Sequence, residues 1–113
     1  MKYSRADLGR VFVIRLEDGE IINEKLEEFA EDKSIKAASL ILIGGADSGS
    51  RLVVGPEDGN KRPVLPMEHV LEGVHEITGT GTIFPNQNDK PTAHIHIAGG
   101  RKEFSISGCT RTG

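Results

Sequence analysis

The sequence predicts an α+β fold, a mostly antiparallel sheet of six or seven strands with one main helix at about residues 20–33. Several short apolar segments separated by turn residues have the pattern of strands, whereas one segment repeats its apolar residues with a helical period. Strands and helices do not alternate regularly, which argues against a doubly wound parallel sheet. A length of 113 residues indicates a single domain, 1–113.

The first elements are a strand and the helix. Residues 9–17 (GRVFVIRLE) are apolar or β-branched at nearly every position, which predicts a strand covered on both faces. Asp18 and Gly19 end this run, and Asp18 is the predicted N-cap of the helix at residues 20–33. The apolar face of the helix comprises Ile22, Leu26, Phe29 and Ala30.

Further strands are predicted at residues 35–45, 49–54, 64–71, 73–84, 92–98 and 104–109. The first of these is apolar enough to be buried on both faces. Pro66 cannot donate to a strand ladder, so it places its strand at a sheet edge or makes the strand irregular. The proline-flanked loop at 85–91 predicts a hairpin connection between the two strands that flank it.

Composition and charge restrict the classes of function. A net charge of -3 and the lack of a basic stripe argue against a protein that binds nucleic acid through its phosphates. A single cysteine, Cys109, excludes an internal disulfide and fits a reducing compartment. No apolar run approaches the roughly 18 residues of a membrane span, and no signal peptide is apparent, so a cytoplasmic location is predicted.

His94 and His96 are the central candidate residues. One residue separates them on a predicted strand, where alternate side chains point to the same face, so both imidazoles share one face. Two imidazoles side by side on a rigid strand form half of a site for Zn²⁺ or a similar ion. On spacing alone, a pair of surface histidines is an equally good interpretation.

His75 and Cys109 are candidate third ligands. His75 lies in the preceding strand on a face that also carries Gly79 and Gly81, where a neighbour has room. If that is the face of the histidine pair, His75 supplies another imidazole. Cys109 offers a thiolate, a good Zn²⁺ ligand, although a small buried hydrophobic residue is the alternative.

Four stretches together resemble the PPC domain family, also called DUF296. They are RLEDGE before the helix, ILIGGADSGS, EITGTGTIF and PTAHIHIAGG. In that family a Gly-Gly-His motif follows the His-x-His strand. The matching stretch here is Ser107-Gly108-Cys109, so Cys109 stands where the family usually has a third histidine. His75 falls near a position where the family often has a glutamate.

The resemblance implies a compact domain with an antiparallel sheet and a homotrimer with metal-type histidines near its subunit interfaces. Plant members bind A·T-rich DNA through AT-hooks, but this chain has no Arg-Gly-Arg-Pro hook, so DNA is a weakly supported partner. The family continues with a further strand. An end at Gly113 therefore predicts a truncated C-terminal strand and an open sheet edge for a partner subunit to cover.

Three functions remain open on the sequence. The first is a non-catalytic, metal-binding homotrimeric module with a DNA-associated or regulatory role and Zn²⁺ or a similar divalent transition metal as its cofactor. The second is a small metalloenzyme in which a His-ligated metal activates water. The third is direct DNA binding by the domain. No Ser-His-Asp spacing supports a catalytic triad.

Overall fold

Within residues 1–110, six antiparallel strands form one sheet, and a single helix packs on one of its faces. The computed structural model describes residues 1–110. The strand order is β1-β4-β5-β6-β2-β3, which confirms the predicted α+β class. The elements are α1 (Ile22–Asp32), β1 (Ala38–Ala46), β2 (Arg51–Pro56), β3 (Pro66–Val70), β4 (His75–Pro85), β5 (Pro91–Arg101) and β6 (Phe104–Thr110).

The core lies between α1 and one face of the sheet. Burial alternates along β5, where odd-numbered residues from Ala93 to Gly99 are buried and the even-numbered residues between them are exposed. Ile95 and Leu52 of β2 are fully buried in this core. Because the helix covers this face alone, the even-numbered side chains of β5 lie on the opposite face, which is here called the open face.

The helix is shorter than predicted and is not capped as predicted. It begins after Ile21, which makes no side-chain cap, and Asp18 is instead part of a turn with Gly19 at φ 82°. The carboxylate of Glu20 accepts the backbone N–H of Glu17 at 2.8 Å in this turn. Of the predicted apolar face, Ala30 lies in the core, and Ile22 and Leu26 are partly buried against it. Phe29 is not part of the core and instead contacts Phe12.

The prediction of a strand at residues 9–17 is wrong. These residues have no regular secondary structure, and Val11 and Val13 are 71% and 99% exposed. Phe12 packs edge-on against Phe29 of α1, with ring centroids 5.1 Å apart. The run has the composition of a buried strand, but within residues 1–110 no strand pairs with it.

The faces of β1 were also predicted wrongly. Its side chains alternate, so Leu40 and Leu42 pack on the core while Ile41 and Ile43 are 85% and 83% exposed on the open face. The reason is that the described structure has a layer on one side of the sheet alone. The edge position predicted from Pro66 is confirmed, because β3 is the last strand of the sheet.

The predicted truncation concerns Thr112 and Gly113, which lie outside the described residues. Where it is described, β6 has a partner on each side, β5 and β2. The sheet edges are instead β1 and β3. Over the same residues, no helix combines the length and apolar character that crossing a membrane requires.

Candidate metal centre

The two histidines of β5 lie side by side on the open face. Their Nε2 atoms are 3.2 Å apart, and the ring centroids are 5.0 Å apart at an interplanar angle of 63°. In the β4–β5 register, Thr82 lies opposite His94 and Thr80 lies opposite His96. The alternation of the strand thus brings both imidazoles to one face, as the sequence predicted.

Cys109 joins this pair from the neighbouring strand. In the β5–β6 register it lies directly opposite His96, and residues directly opposite each other share a face of the sheet. Cys109 is 6% exposed, whereas both histidines are exposed. One donor atom from each of the three residues lies within 4.8 Å of the other two. Three candidate ligands therefore converge on the open face.

The spacing of the two imidazole nitrogens fits a tetrahedral ion. Bond lengths of about 2.05 Å for Zn–N and about 2.3 Å for Zn–S place two nitrogens about 3.3 Å apart, and nitrogen and sulfur about 3.6 Å apart. The observed Nε2–Nε2 distance of 3.2 Å already matches the first value. The thiol of Cys109 donates a weak hydrogen bond to the carbonyl oxygen of Thr110 at 3.5 Å.

His75 is not brought to these three residues. It lies on the core-side face of β4 together with Ile77, is 8% exposed, and has its Nδ1 atom 2.9 Å from the carbonyl oxygen of Gly73. The face that carries Gly79 and Gly81 is therefore the core face and not the histidine face. His75 therefore does not supply the third imidazole that its strand was expected to offer. The β4–β5 register places even-numbered residues of β4 opposite the two histidines, whereas His75 lies on the other face.

Sequence reasoning missed Thr80 and Thr82. By register they are the β4 neighbours of the two histidines on the open face, and they offer hydroxyl groups beside the candidate ligands. The alternation of threonine and glycine in TGTGT was a signal for them, since it already separated two faces. The fourth histidine, His69, is exposed on β3.

The shifted pKa values belong to the helix side of the molecule. The hydrogen bond that Lys25 donates to the carboxylate of Glu28, together with the charge of that carboxylate, raises the pKa of Lys25. Glu31 raises the pKa of Lys90 in the same way. Both lysines are exposed, so these ion pairs contribute little to stability.

The family model of the Plants and Prokaryotes Conserved (PCC) domain matches residues 3–113. The chain belongs to the PCC domain family. This confirms the family that the sequence resemblance indicated under the name PPC. No curated protein matches the chain significantly.

A solved structure resembles this PCC domain over nearly its whole length. It is the crystal structure of the metal-containing protein AF0104 from Archaeoglobus fulgidus, with a TM-score of 0.83 and 26% sequence identity. The match covers 98% of this chain and 76% of the archaeal chain. A structure with this fold therefore exists for a protein that contains a metal.

Proposed function

We propose that this PCC domain is a metal-binding module in which His94, His96 and Cys109 hold a divalent transition metal. The observation that carries the proposal is the convergence of three donor atoms within 4.8 Å on one face of the sheet. The similarity to a metal-containing protein supports it. Two imidazoles and a thiolate are ligands that suit Zn²⁺, so Zn²⁺ is the ion we expect.

The proposal places the protein in a reducing compartment such as the cytoplasm. The thiolate, and not an oxidised sulfur, is the form that binds a metal. Cys109 is buried and has no disulfide partner, because the chain has no second cysteine. A reducing environment keeps it available as a ligand.

Metal analysis of protein purified without a histidine tag tests the proposal. We expect about one Zn²⁺ per chain in the wild-type protein, because one such cluster is found among the described residues. His96→Ala removes a central ligand and is expected to abolish stoichiometric binding. His69→Ala is the matched control, since His69 is exposed on β3 and lies outside the cluster.

Thermal unfolding with and without a chelator gives an independent measurement. A ligand that binds the folded state alone raises the apparent stability, so chelation should lower the Tm of the wild type and leave that of His96→Ala unchanged. The proposed centre would be ruled out if the wild-type protein contained no metal and its Tm changed with neither chelator nor added Zn²⁺.

We further propose that the module is a homotrimer whose subunits cover the open face. Besides the family resemblance, the open face itself supports this. The register places Ile41, Thr80 and His96 in one row across β1, β4 and β5, so an exposed apolar side chain lies in line with the metal centre. Exposed apolar residues grouped on one face are typical of surfaces that contact a partner.

The biological role that we propose is regulatory, with any association with DNA made through partners. A net charge of -3 offers little for phosphate neutralisation. Titration of an A·T-rich duplex at several salt concentrations tests this. We expect affinity no stronger than that of an unrelated acidic protein, and strongly salt-dependent binding would show that the domain contacts DNA itself.

A small metalloenzyme is the second candidate. Both histidines are exposed, and three protein ligands with an accessible fourth position are typical of catalytic zinc sites. The hydroxyls of Thr80 and Thr82 flank this position by register and can donate hydrogen bonds to a bound molecule. Hydrolysis of members of an ester and phosphoester panel, lost in His94→Ala, would favour this candidate over a purely binding module.

A further inference from the structure

Two glycines of β4 lie where the backbone of the histidine strand comes very close. A Cβ atom on Gly79 would lie 2.5 Å from the carbonyl oxygen of His96, and one on Gly81 would lie 2.6 Å from the carbonyl oxygen of His94. Cβ atoms in proteins essentially never come within 3.0 Å of a non-bonded atom, so neither position can carry a side chain unless the backbone moves. Each close approach involves the peptide group of one candidate ligand.

A third glycine has the same relation to the strand pair that holds the thiol. A Cβ atom on Gly108 would lie 2.9 Å from the carbonyl oxygen of Val53, and Val53 lies opposite Cys109 in the β2–β6 register. It would also lie 3.1 Å from the Cβ atom of Leu52. Gly108 thereby sets how closely β6 approaches β2 next to the third donor.

Other glycines of the sheet do not share this property. A Cβ atom on Gly45 or Gly100 would have its nearest neighbour at 3.9 Å, and one on Gly99 would first meet a side-chain methyl of Ile77 at 3.3 Å. Among the glycines within residues 1–110, contacts below 3.0 Å with backbone atoms occur at the three positions beside the donors and at no other. Close contacts with neighbouring backbone are therefore not a general property of the glycines in this sheet.

A side chain at Gly79 or Gly81 would push the backbone of β5 and so move the donor atoms of His96 and His94 directly. The carbonyl carbon is bonded to Cα, so pushing the oxygen tilts the peptide plane and reorients the side chain of the same residue. β5 lies between β4 and β6, and a push from β4 shifts the imidazoles relative to Cys109 on the other side. Metal–ligand distances tolerate errors of only about 0.2 Å.

We propose that Gly79, Gly81 and Gly108 are positioning residues of the metal centre. The missing side chain at each position lets the neighbouring backbone approach, and this approach fixes the separation of the three donors. The inference rests on the proposed function, because it concerns the geometry of that same centre. The three glycines lie on the core side of the sheet or beside a ligand, and they bind no metal themselves.

Titration of metal-free protein with Co²⁺ tests the proposal, because Co²⁺ binds the same kinds of site and its visible absorption reports the geometry of coordination. We expect Gly79→Ala and Gly81→Ala each to weaken Co²⁺ binding at least about tenfold, as changes behind metal ligands do, and to alter the visible bands. Gly108→Ala should mainly change the near-ultraviolet band that arises from the thiolate.

Gly99→Ala and Gly45→Ala are the matched controls. Both place a methyl group in the same sheet without a close backbone contact, so they should keep the wild-type affinity and spectrum. Urea unfolding of the metal-free variants separates the two kinds of effect. A merely structural glycine would lower stability while the folded protein keeps the wild-type cobalt spectrum.

The outcomes are distinct. If the wild type binds neither Co²⁺ nor Zn²⁺, the proposed function and this inference are both contradicted. If the wild type binds and the three glycine variants bind equally well with unchanged spectra, the positioning role alone is overturned. A variant that is partly unfolded is titrated in trimethylamine N-oxide, which restores the folded state, and an unchanged spectrum there also overturns the role.

Discussion

Cys109 decides which kind of centre the open face can form. It stands where the family resemblance places a third histidine, so this chain offers two nitrogens and one sulfur. The thiolate adds a negative charge that a neutral imidazole lacks. It lies beside the exposed His96 in a position with 6% exposure, where little water would compete with its sulfur for a bound metal.

Substitutions of Cys109 should distinguish the effect of losing a metal ligand from the effect of changing the ligand's type. We expect Cys109→Ser to weaken Zn²⁺ binding at least about tenfold, since even changes behind the ligands cost 10–100-fold. Cys109→His restores three strong ligands and should bind more tightly than the serine variant. Competition with a chromophoric chelator measures both affinities. Equal affinity of the wild-type and serine proteins would show that the sulfur is no ligand.

His75 should behave as a structural residue. Its ring is buried and bonded to the carbonyl oxygen of Gly73, so His75→Ala leaves that group without its partner and is expected to lower the free energy of unfolding by about 1–3 kcal/mol. Zn²⁺ content should stay at the wild-type level. Urea unfolding and metal analysis of the same preparation check this, and a loss of metal from a folded variant would contradict it.

The outcome for these residues shows what the sequence can predict. The i, i+2 spacing predicted that His94 and His96 share a face, because strand alternation is a local property. The position of His75 depends on the register between two strands, and a shift of one residue exchanges the faces. No local pattern in the 85–91 loop determined that register.

At the scale of elements, polar side chains of α1 form hydrogen bonds with β5 and β6, the strands that carry the candidate ligands. Asn23 is 5% exposed, and its amide donates to the carbonyl oxygen of Ala93 at 3.3 Å and accepts from the hydroxyl of Thr110 at 2.7 Å. Glu27 accepts the backbone N–H of Ala93 at 2.8 Å. One helix thus holds the residues next to His94 and Cys109.

Removal of this link should loosen the helix. Asn23→Ala leaves the carbonyl of Ala93 and the hydroxyl of Thr110 without a partner on the helix, so we expect a loss of about 1–3 kcal/mol in the free energy of unfolding. Glu24→Ala, an exposed change on the same helix, should stay within about 0.5 kcal/mol of the wild type. Equal stability of the two variants would show that the link contributes nothing.

The elements themselves were largely predictable. The helical period and the turn residues located α1 and all six strands to within a few residues, because these signals are local. Residues 9–17 and the faces of β1 could not be predicted in the same way. Their burial depends on what lies beside them, and an apolar run is equally compatible with a core and with an exposed face.

At the scale of the whole molecule, the sheet order puts the centre in the middle and leaves β1 at an edge. Ile41 and Ile43 extend the open face to this edge, beside the row that contains His96. The proposed homotrimer would bury this area, whereas the helix side, rich in glutamate, stays in solvent.

Light scattering at several concentrations should give a mass three times the 12.2 kDa of one chain. We expect Ile41→Lys to reduce that mass, because a charge buried in a subunit contact is costly. Glu24→Lys, on the helix side, should keep the wild-type mass and serves as the control. A wild-type mass of one chain at all concentrations would contradict the trimer.

The edge strand β1 has a consequence for chains outside an assembly. Its nine residues, ASLILIGGA, include no charge and no proline, and within residues 1–110 no strand pairs with its outer backbone. Natural edge strands usually carry lysine, proline or a bulge that blocks aggregation. A chain outside the proposed homotrimer would therefore display a template for fibril-like stacking, and we expect such chains to depend on rapid assembly or on chaperones to stay dispersed.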